Sequence, residues 1–267
     1  MDDEPDARII PVRDFAATVT RIVDLTPTIK ALHLALDKPI DFQAGQYVQL
    51  EIPGLGQSRA FSIANAPADV ERSGEIELNV RIVPGGAGTA YLHEKLKVGD
   101  RLRLSGPYGR FFVRQSAHLP MVFMAGGSGL SSPRSMVLDL LGHGCTEPIT
   151  LVYGQRTRAE LYYHDEFVAL AAQHPNFTYV PVLSNEPDAS EGSDWTGARG
   201  FVHDAAKAHF GGQFAGHKAY LCGPPPMVEA CIGTLMQGRL FEDGIHTEKF
   251  ISAADANAQR SPLFKRV

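Results

Sequence analysis

The stretch Leu221-Cys222-Gly223-Pro224-Pro225-Pro226-Met227 sets a thiol at the end of an apolar run and in front of a stiff turn. Proline suits the first turn of a helix and a lone cysteine packs as a small hydrophobe, so one reading is packing alone. The other is a thiol that faces a ligand at the mouth of a strand. A second candidate is Gly126-Gly127-Ser128-Gly129, which closes the apolar run from Met121 and precedes a helical pattern starting near Ser131. At such a junction backbone N–H groups point outward and the helix dipole favours negative charge, which is chemistry for a pyrophosphate. A tight strand–helix turn without a ligand accounts for the same glycines. The dinucleotide fingerprint is met only in part, because Ser132 stands where its third glycine belongs. The next apolar run ends Tyr153-Gly154-Gln155-Arg156, with no acidic residue for a ribose hydroxyl pair; Arg156 suits a 2′-phosphate or a surface cap. A third candidate, Arg59-Ala60-Phe61-Ser62, is four ordinary strand residues by itself. Beside Gly85, Gly86, Gly88 and Thr89, at the start of a second helix, it adds an arginine to another phosphate-capable helix N-terminus.

Two kinds of element must position these groups. From Phe15 to about Gly106, six runs alternate or carry β-branched residues: FAATVTRIV, TIKALHLAL, YVQLEI, SRAFSIA, EIELNVRIV and DRLRLSG. Turn residues (PGLGQ, NAPAD, PGG, KVGD) separate them, and TAYLHEKL is the one helical pattern in this half. Six short strands with one helix predict a closed or nearly closed antiparallel barrel. After Ser116 short apolar runs alternate with helical ones, which predicts a doubly wound parallel α/β sheet. The expected organisation is a tail over residues 1–10, a barrel domain over 11–115 and a nucleotide-binding α/β domain over 116–267. SNEPDASEGSDWTG reads as a surface loop with Trp195 as a packing anchor.

Composition narrows the function classes. A chain of 267 residues with 44% hydrophobic and 21% charged residues suits two globular domains. A net charge of −5 argues against a nucleic-acid surface. No apolar run reaches membrane-spanning length and the N-terminus is acidic, so neither membrane nor secretion is expected, which leaves the cytoplasm. Cys145, Cys222 and Cys231 are too few for a disulfide framework or a four-cysteine cluster. His143 and His164 lack partners at ligand spacing, so no metal site is expected.

With these segments in order over two domains, the chain resembles the ferredoxin–NADP reductase superfamily from about Phe15 to Phe250. Arg59-Ala60-Phe61-Ser62 matches its R-x-Y-S motif, Gly86 and Thr89 its second phosphate segment, and Gly126-Gly127-x-Gly129 with Pro133 its nicotinamide turn. Cys222-Gly223-Pro224-Pro225 and Glu248-Lys249-Phe250 match its cysteine–glycine motif and its acidic-x-aromatic end. RAFSIANAP, GGSGLSSPRSM, YGQRTRAELYYHDEF and IHTEKFISAAD are similar to the reductase components of bacterial multicomponent phenol hydroxylases, enzymes of aromatic degradation.

The resemblance implies an FAD-binding barrel and an NADH-binding domain that together take hydride from NADH and pass on single electrons. It assigns Arg59, Ala60, Phe61, Ser62, Asn79, Val80, Arg81, Gly86, Gly88, Thr89 and Phe250 to FAD. It assigns Gly126, Gly127, Ser128, Gly129, Ser131, Pro133, Gly154, Arg156, Cys222, Gly223 and Pro224 to NADH, and Ser62, Cys222 and Glu248 to catalysis. Phe61 keeps the stacking face of the usual tyrosine without its hydroxyl. The implied partners are a [2Fe–2S] ferredoxin domain or protein and the oxygenase component of a monooxygenase. The relatives' N-terminal four-cysteine domain has no counterpart here, so either a truncated chain or a separate ferredoxin is expected. The alternatives are an NAD(P)H:flavin reductase, a stand-alone ferredoxin reductase, and a nucleotide-binding module without turnover.

Overall fold

A computed structural model describes residues 6–187 and 192–249. The first half holds six antiparallel strands: β1 (Arg13–Thr26), β2 (Ile29–Leu36), β3 (Tyr47–Ile52), β4 (Gln57–Ser62), β5 (Glu75–Arg81) and β6 (Arg101–Tyr108). Their order is β4-β3-β6-β1-β2-β5. β1 carries two register shifts against β2, and such bulges bend a long strand so that one sheet can curl. The edges meet where Ile63 bridges Leu78 and the Ala64 N–H donates to the Glu77 carbonyl at 2.8 Å. The expected near-closed barrel is therefore present, and β4 ends at the seam. Alternation sends Phe15, Ala17 and Val19, with Leu32, Leu34, Val48, Leu50, Ile76 and Leu78, into one buried core.

This half contains two helices rather than one. NAPAD is not a free turn: Pro67 opens α1 (Pro67–Ser73), Asp69 lies in its first turn, and Gly74 ends it in the left-handed region at φ 69°. Those are ordinary start and stop signals, hidden because the helix is only two turns long. α2 (Ala87–Glu94) is the expected helix, begun two residues early.

The second half is a parallel sheet of β7 (Met121–Gly126), β8 (Ile149–Gln155), β9 (Phe177–Leu183), β10 (Ala198–Arg199), β11 (Lys218–Gly223) and β12 (Ile245–Lys249). Its helices are α3 (Ser131–Gly142), α4 (His164–Gln173), α5 (Val202–His209) and α6 (Pro225–Gln237). Met121, Phe123 and Ala125 pack on α3 and Phe167, while Val122 and Met124 pack on α5 and α6. Burial on both faces explains why these strands read as unbroken apolar runs. The order β10-β9-β8-β7-β11-β12 reverses direction between β7 and β11. At such a switch point the loops diverge, and ligands of open α/β sheets enter the crevice beyond the strands' carboxyl ends. The two loops there are Gly126–Leu130 and Gly223–Pro225, which carry the two motifs singled out first.

A buried joint locks the two sheets together. Arg134 on α3 forms two bonds with Glu166, Nε to Oε2 at 2.7 Å and Nη2 to Oε1 at 2.9 Å. Its Nη1 donates to the Ala64 carbonyl at 2.8 Å and lies 3.5 Å from Glu77 of β5. The guanidinium stacks 4.0 Å from the Tyr163 ring, whose hydroxyl donates to Glu77. Ser135 adds a bond to the Asn65 carbonyl at 2.8 Å. The expected N-terminal tail is not loose over its described part: Arg8 pairs with Asp41, and Asp6 accepts from the Ser116 hydroxyl at 2.6 Å. Among the described residues no helix is long and apolar enough to cross a membrane.

Candidate functional site

Three elements converge on one oxygen. Parallel pairing sets Cys222 of β11 beside Glu248 of β12. Ser132 lies in the first turn of α3, and Ser62 ends β4 at the barrel seam. The Ser132 hydroxyl donates to Glu248 Oε2 at 2.8 Å, the Ser62 hydroxyl at 3.4 Å and the Cys222 thiol at 3.8 Å. Burial raises the Glu248 carboxyl above the usual carboxylate range, and these three donors pull it partway back. Burial, and then the facing Glu248, hold the Cys222 thiol well above its ordinary value. The sulfur is thus a neutral, fully buried S–H, not a thiolate. Glu248 is a half-buried strand residue at the junction of the two sheets.

On the barrel side, β4 is an edge strand whose residues Gln57 to Ala60 are all exposed. A β-carbon on Gly88 would sit 3.7 Å from the Arg59 side chain, so Arg59 lies beside the first turn of α2. Among the described residues its guanidinium is held by its own strand, through the Ser58 carbonyl and Gln57. Thr89 does not present a free hydroxyl: it accepts from the Val83 N–H and donates to the Gly86 carbonyl, closing its own turn. Asn79 is buried on β5, its side-chain oxygen 3.3 Å from the Tyr163 hydroxyl that donates to Glu77, and its side-chain N–H₂ has no partner among the described residues.

On the other side, the glycines divide by purpose. Gly127 adopts φ +59°, and a β-carbon there would meet the Arg81 guanidinium at 3.0 Å. Arg81 thus reaches from the barrel to the glycine turn. Gly129, Gly126 and Gly154 are required by packing instead: a β-carbon on each would strike the Cys222 carbonyl at 2.4 Å, Met227 at 2.4 Å and Val202 at 2.3 Å. Ser131 turns back to the Ser128 carbonyl and Pro133 is buried inside α3. Gly223 is buried, whereas Pro224 is exposed at the mouth. Arg156 is exposed beyond β8 and apart from the Glu248 cluster. Phe250 lies outside the described residues.

Sequence reasoning missed Ser132, Tyr162 and Met227. Ser132 was noted only as a missing glycine. Tyr162 donates to the Gly127 carbonyl at 3.0 Å and fixes the turn, yet reads as an ordinary aromatic next to α4. Met227 covers Gly126 and Gly223, but a methionine at the start of a helix carries no signal by itself.

Comparison with known proteins places the chain in a family. Residues 16–113 match the oxidoreductase FAD-binding domain, and residues 123–232 match the oxidoreductase NAD-binding domain. The chain is 57% identical to the reductase component of phenol 2-monooxygenase from Pseudomonas sp. strain CF600, covering all of this chain and 74% of that protein. The chain belongs to the ferredoxin reductase family. It is also 52% identical to the phenol hydroxylase P5 protein of Acinetobacter pittii strain PHEA-2, over the whole chain and 74% of the relative. Among solved structures, an Amycolatopsis cytochrome P450 reductase superposes with a TM-score of 0.83 at 36% identity, covering 92% of this chain and 73% of that one. The present chain is an oxidoreductase with FAD- and NAD-binding domains, in the two-domain arrangement, barrel then parallel sheet, that its sequence implied.

The residues fit these cofactors. An exposed edge strand ending in Ser62, a cation beside a helix start, and an orphaned amide on Asn79 offer a polar ring and a diphosphate the contacts they lack. Gly127 and Arg81 offer a second diphosphate a positive-φ turn and a cation.

Proposed function

We propose that this chain oxidises NADH on a bound FAD and passes single electrons to an iron–sulfur domain or protein that serves a phenol-type multicomponent monooxygenase in the cytoplasm. The observation that carries the reading is the Glu248 carboxylate, held at once by Ser62 from the barrel and by Ser132 and Cys222 from the nucleotide sheet. That cluster is where a flavin on β4 and a nicotinamide over the β7–β11 crevice would meet. FAD supplies the two-electron to one-electron conversion, which no side chain here can perform.

The chain's own contribution is position and electrostatics. Arg59 and the start of α2 hold the flavin's diphosphate within the unit spanning residues 11–115. Gly127, Ser128 and Arg81 hold that of NADH against the unit spanning 116–267. Cys222, neutral and fully buried, walls the nicotinamide side; Ser62 donates toward the flavin ring. Proximity of this kind is worth ~7–11 kcal/mol of a barrier. NADH rather than NADPH is what the resemblance to phenol hydroxylase reductases implies, and Arg156 is the residue through which a 2′-phosphate would be felt.

The test is to purify the chain, load it with FAD, and add NADH without oxygen. Tightly bound FAD that bleaches with NADH and recovers with ferricyanide supports the proposal. A colourless protein that reduces only added free flavin supports a flavin reductase instead. Bound FAD that NADH never bleaches makes the chain a nucleotide-binding module. Transfer to an oxygenase is expected to be slow without an iron–sulfur partner and restored by adding one.

A further inference from the structure

Glu248 Oε2 receives three donors, and they are unequal. Ser132 is fully buried and bonds at 2.8 Å; Ser62 stands off at 3.4 Å, outside the range of a strong O–H···O bond. Among the described residues the Ser62 hydroxyl has no second hydrogen-bond partner, so it can turn away from the carboxylate at small cost. Ser132 has no such freedom to trade the bond for water, because it is fully buried in the first turn of α3. We propose that Ser132 is a positioning residue that ties Glu248 to the nucleotide-binding sheet and thereby leaves the Ser62 hydroxyl available to the flavin ring. The inference rests on the reading of Ser62 as a flavin contact. It gives a reason for a serine at the place where the dinucleotide fingerprint asks for glycine: a glycine there would leave the carboxylate only Ser62 and a weak thiol donor.

The groups around the carboxylate permit this tie to be read by titration. Cys222 faces it from β11 and Tyr47 from β3, both neutral, with burial first and Glu248 second raising each. Lys249 on the same strand is paired with Glu229 of α6. No cation faces Oε2 among the described residues, so the hydroxyls are what favour the ionised form, Ser132 first among them. Removing Ser132 must therefore make Glu248 harder to ionise and draw Ser62 onto it.

The experiment is an infrared titration of the full chain, without and with FAD, following the protonated carboxyl stretch that E248Q abolishes. S132A is expected to hold its proton to higher pH than the parent. S132C, of similar shape and weaker as a donor, is expected to fall between them, and it carries the test if S132A does not fold. Stopped-flow reduction of the loaded protein at saturating NADH is expected to slow on the order of tenfold in S132A, the size of one hydrogen bond to a charged group. Its pH profile should move with the infrared band while KM for NADH is unchanged. Identical titrations in the parent, S132A and S132C, or no Glu248 band in any of them, would overturn the proposal. If NADH fails to reduce the bound flavin at all, the proposed function falls, while the titration of the flavin-free chain still reports on Ser132.

Discussion

Cys222 and Glu248 meet as a buried thiol and a carboxylate that resists ionising, and neither is set up for nucleophilic attack. Cys222→Ser is therefore expected to keep FAD and to slow NADH-driven flavin reduction about tenfold, ~1.4 kcal/mol of barrier; stopped-flow absorbance checks both. Loss of FAD instead would return the thiol to a packing role. Glu248 also predicts a pH dependence of stability. Its folded-state value lies above its unfolded one because of burial, so the folded protein binds the extra proton. The stability that this proton confers is present at low pH and is lost as pH rises from the ordinary carboxylate range through the raised folded value. Urea unfolding of the parent against E248Q should show the parent falling behind over that interval and a constant difference above it. For Arg156→Ala, kcat/KM with NADH is expected to stay within about threefold, less than 1 kcal/mol; a loss confined to NADPH would mark NADPH as the working donor.

At the scale of elements, the strand–turn–helix at Met121 to Gly142 and the run ending in Cys222 were legible because apolar runs, glycines and prolines mark such junctions locally. The partner of Cys222 was not. The resemblance groups Glu248 with Cys222, but only sheet pairing shows that Glu248 lies in register with Cys222 on a parallel edge strand. Parallel neighbours are joined through crossovers, so their register is set by packing that no local pattern records. The glycines show the same limit: the motif reads as phosphate-binding throughout, yet Gly129 is required because the turn before α3 passes against the Cys222 backbone. Gly129→Ala is expected to cost ~1–3 kcal/mol through overpacking, seen as a lowered Tm. It should also disturb the Cys222–Glu248 contact, seen as a slower reduction by NADH. A neutral Gly129→Ala would place the reason for that glycine elsewhere.

For the whole molecule, composition and alternation were enough to foresee a barrel followed by a parallel sheet, since each half writes its own period along the chain. The joint between them was not foreseen. Arg134 on α3, Glu77 on β5, and Tyr163 with Glu166 at the start of α4 come from three separate segments, and nothing in SSPRSM or in ELNVR marks them as partners. Arg134→Ala leaves Glu77 and Glu166 buried with reduced compensation, and is expected to cost ~3–5 kcal/mol, measured by urea unfolding. The same change should loosen the approach of the nucleotide sheet to Ser62, so reduction by NADH slows even at temperatures where the chain stays folded. All of these effects presuppose that the Glu248 junction is where NADH and FAD meet. The most direct measurement is anaerobic addition of NADH to the FAD-loaded chain, followed at the flavin absorbance and then with ferricyanide. Rapid bleaching of bound flavin and full recovery is the predicted result; bound flavin that stays oxidised in excess NADH would contradict the account.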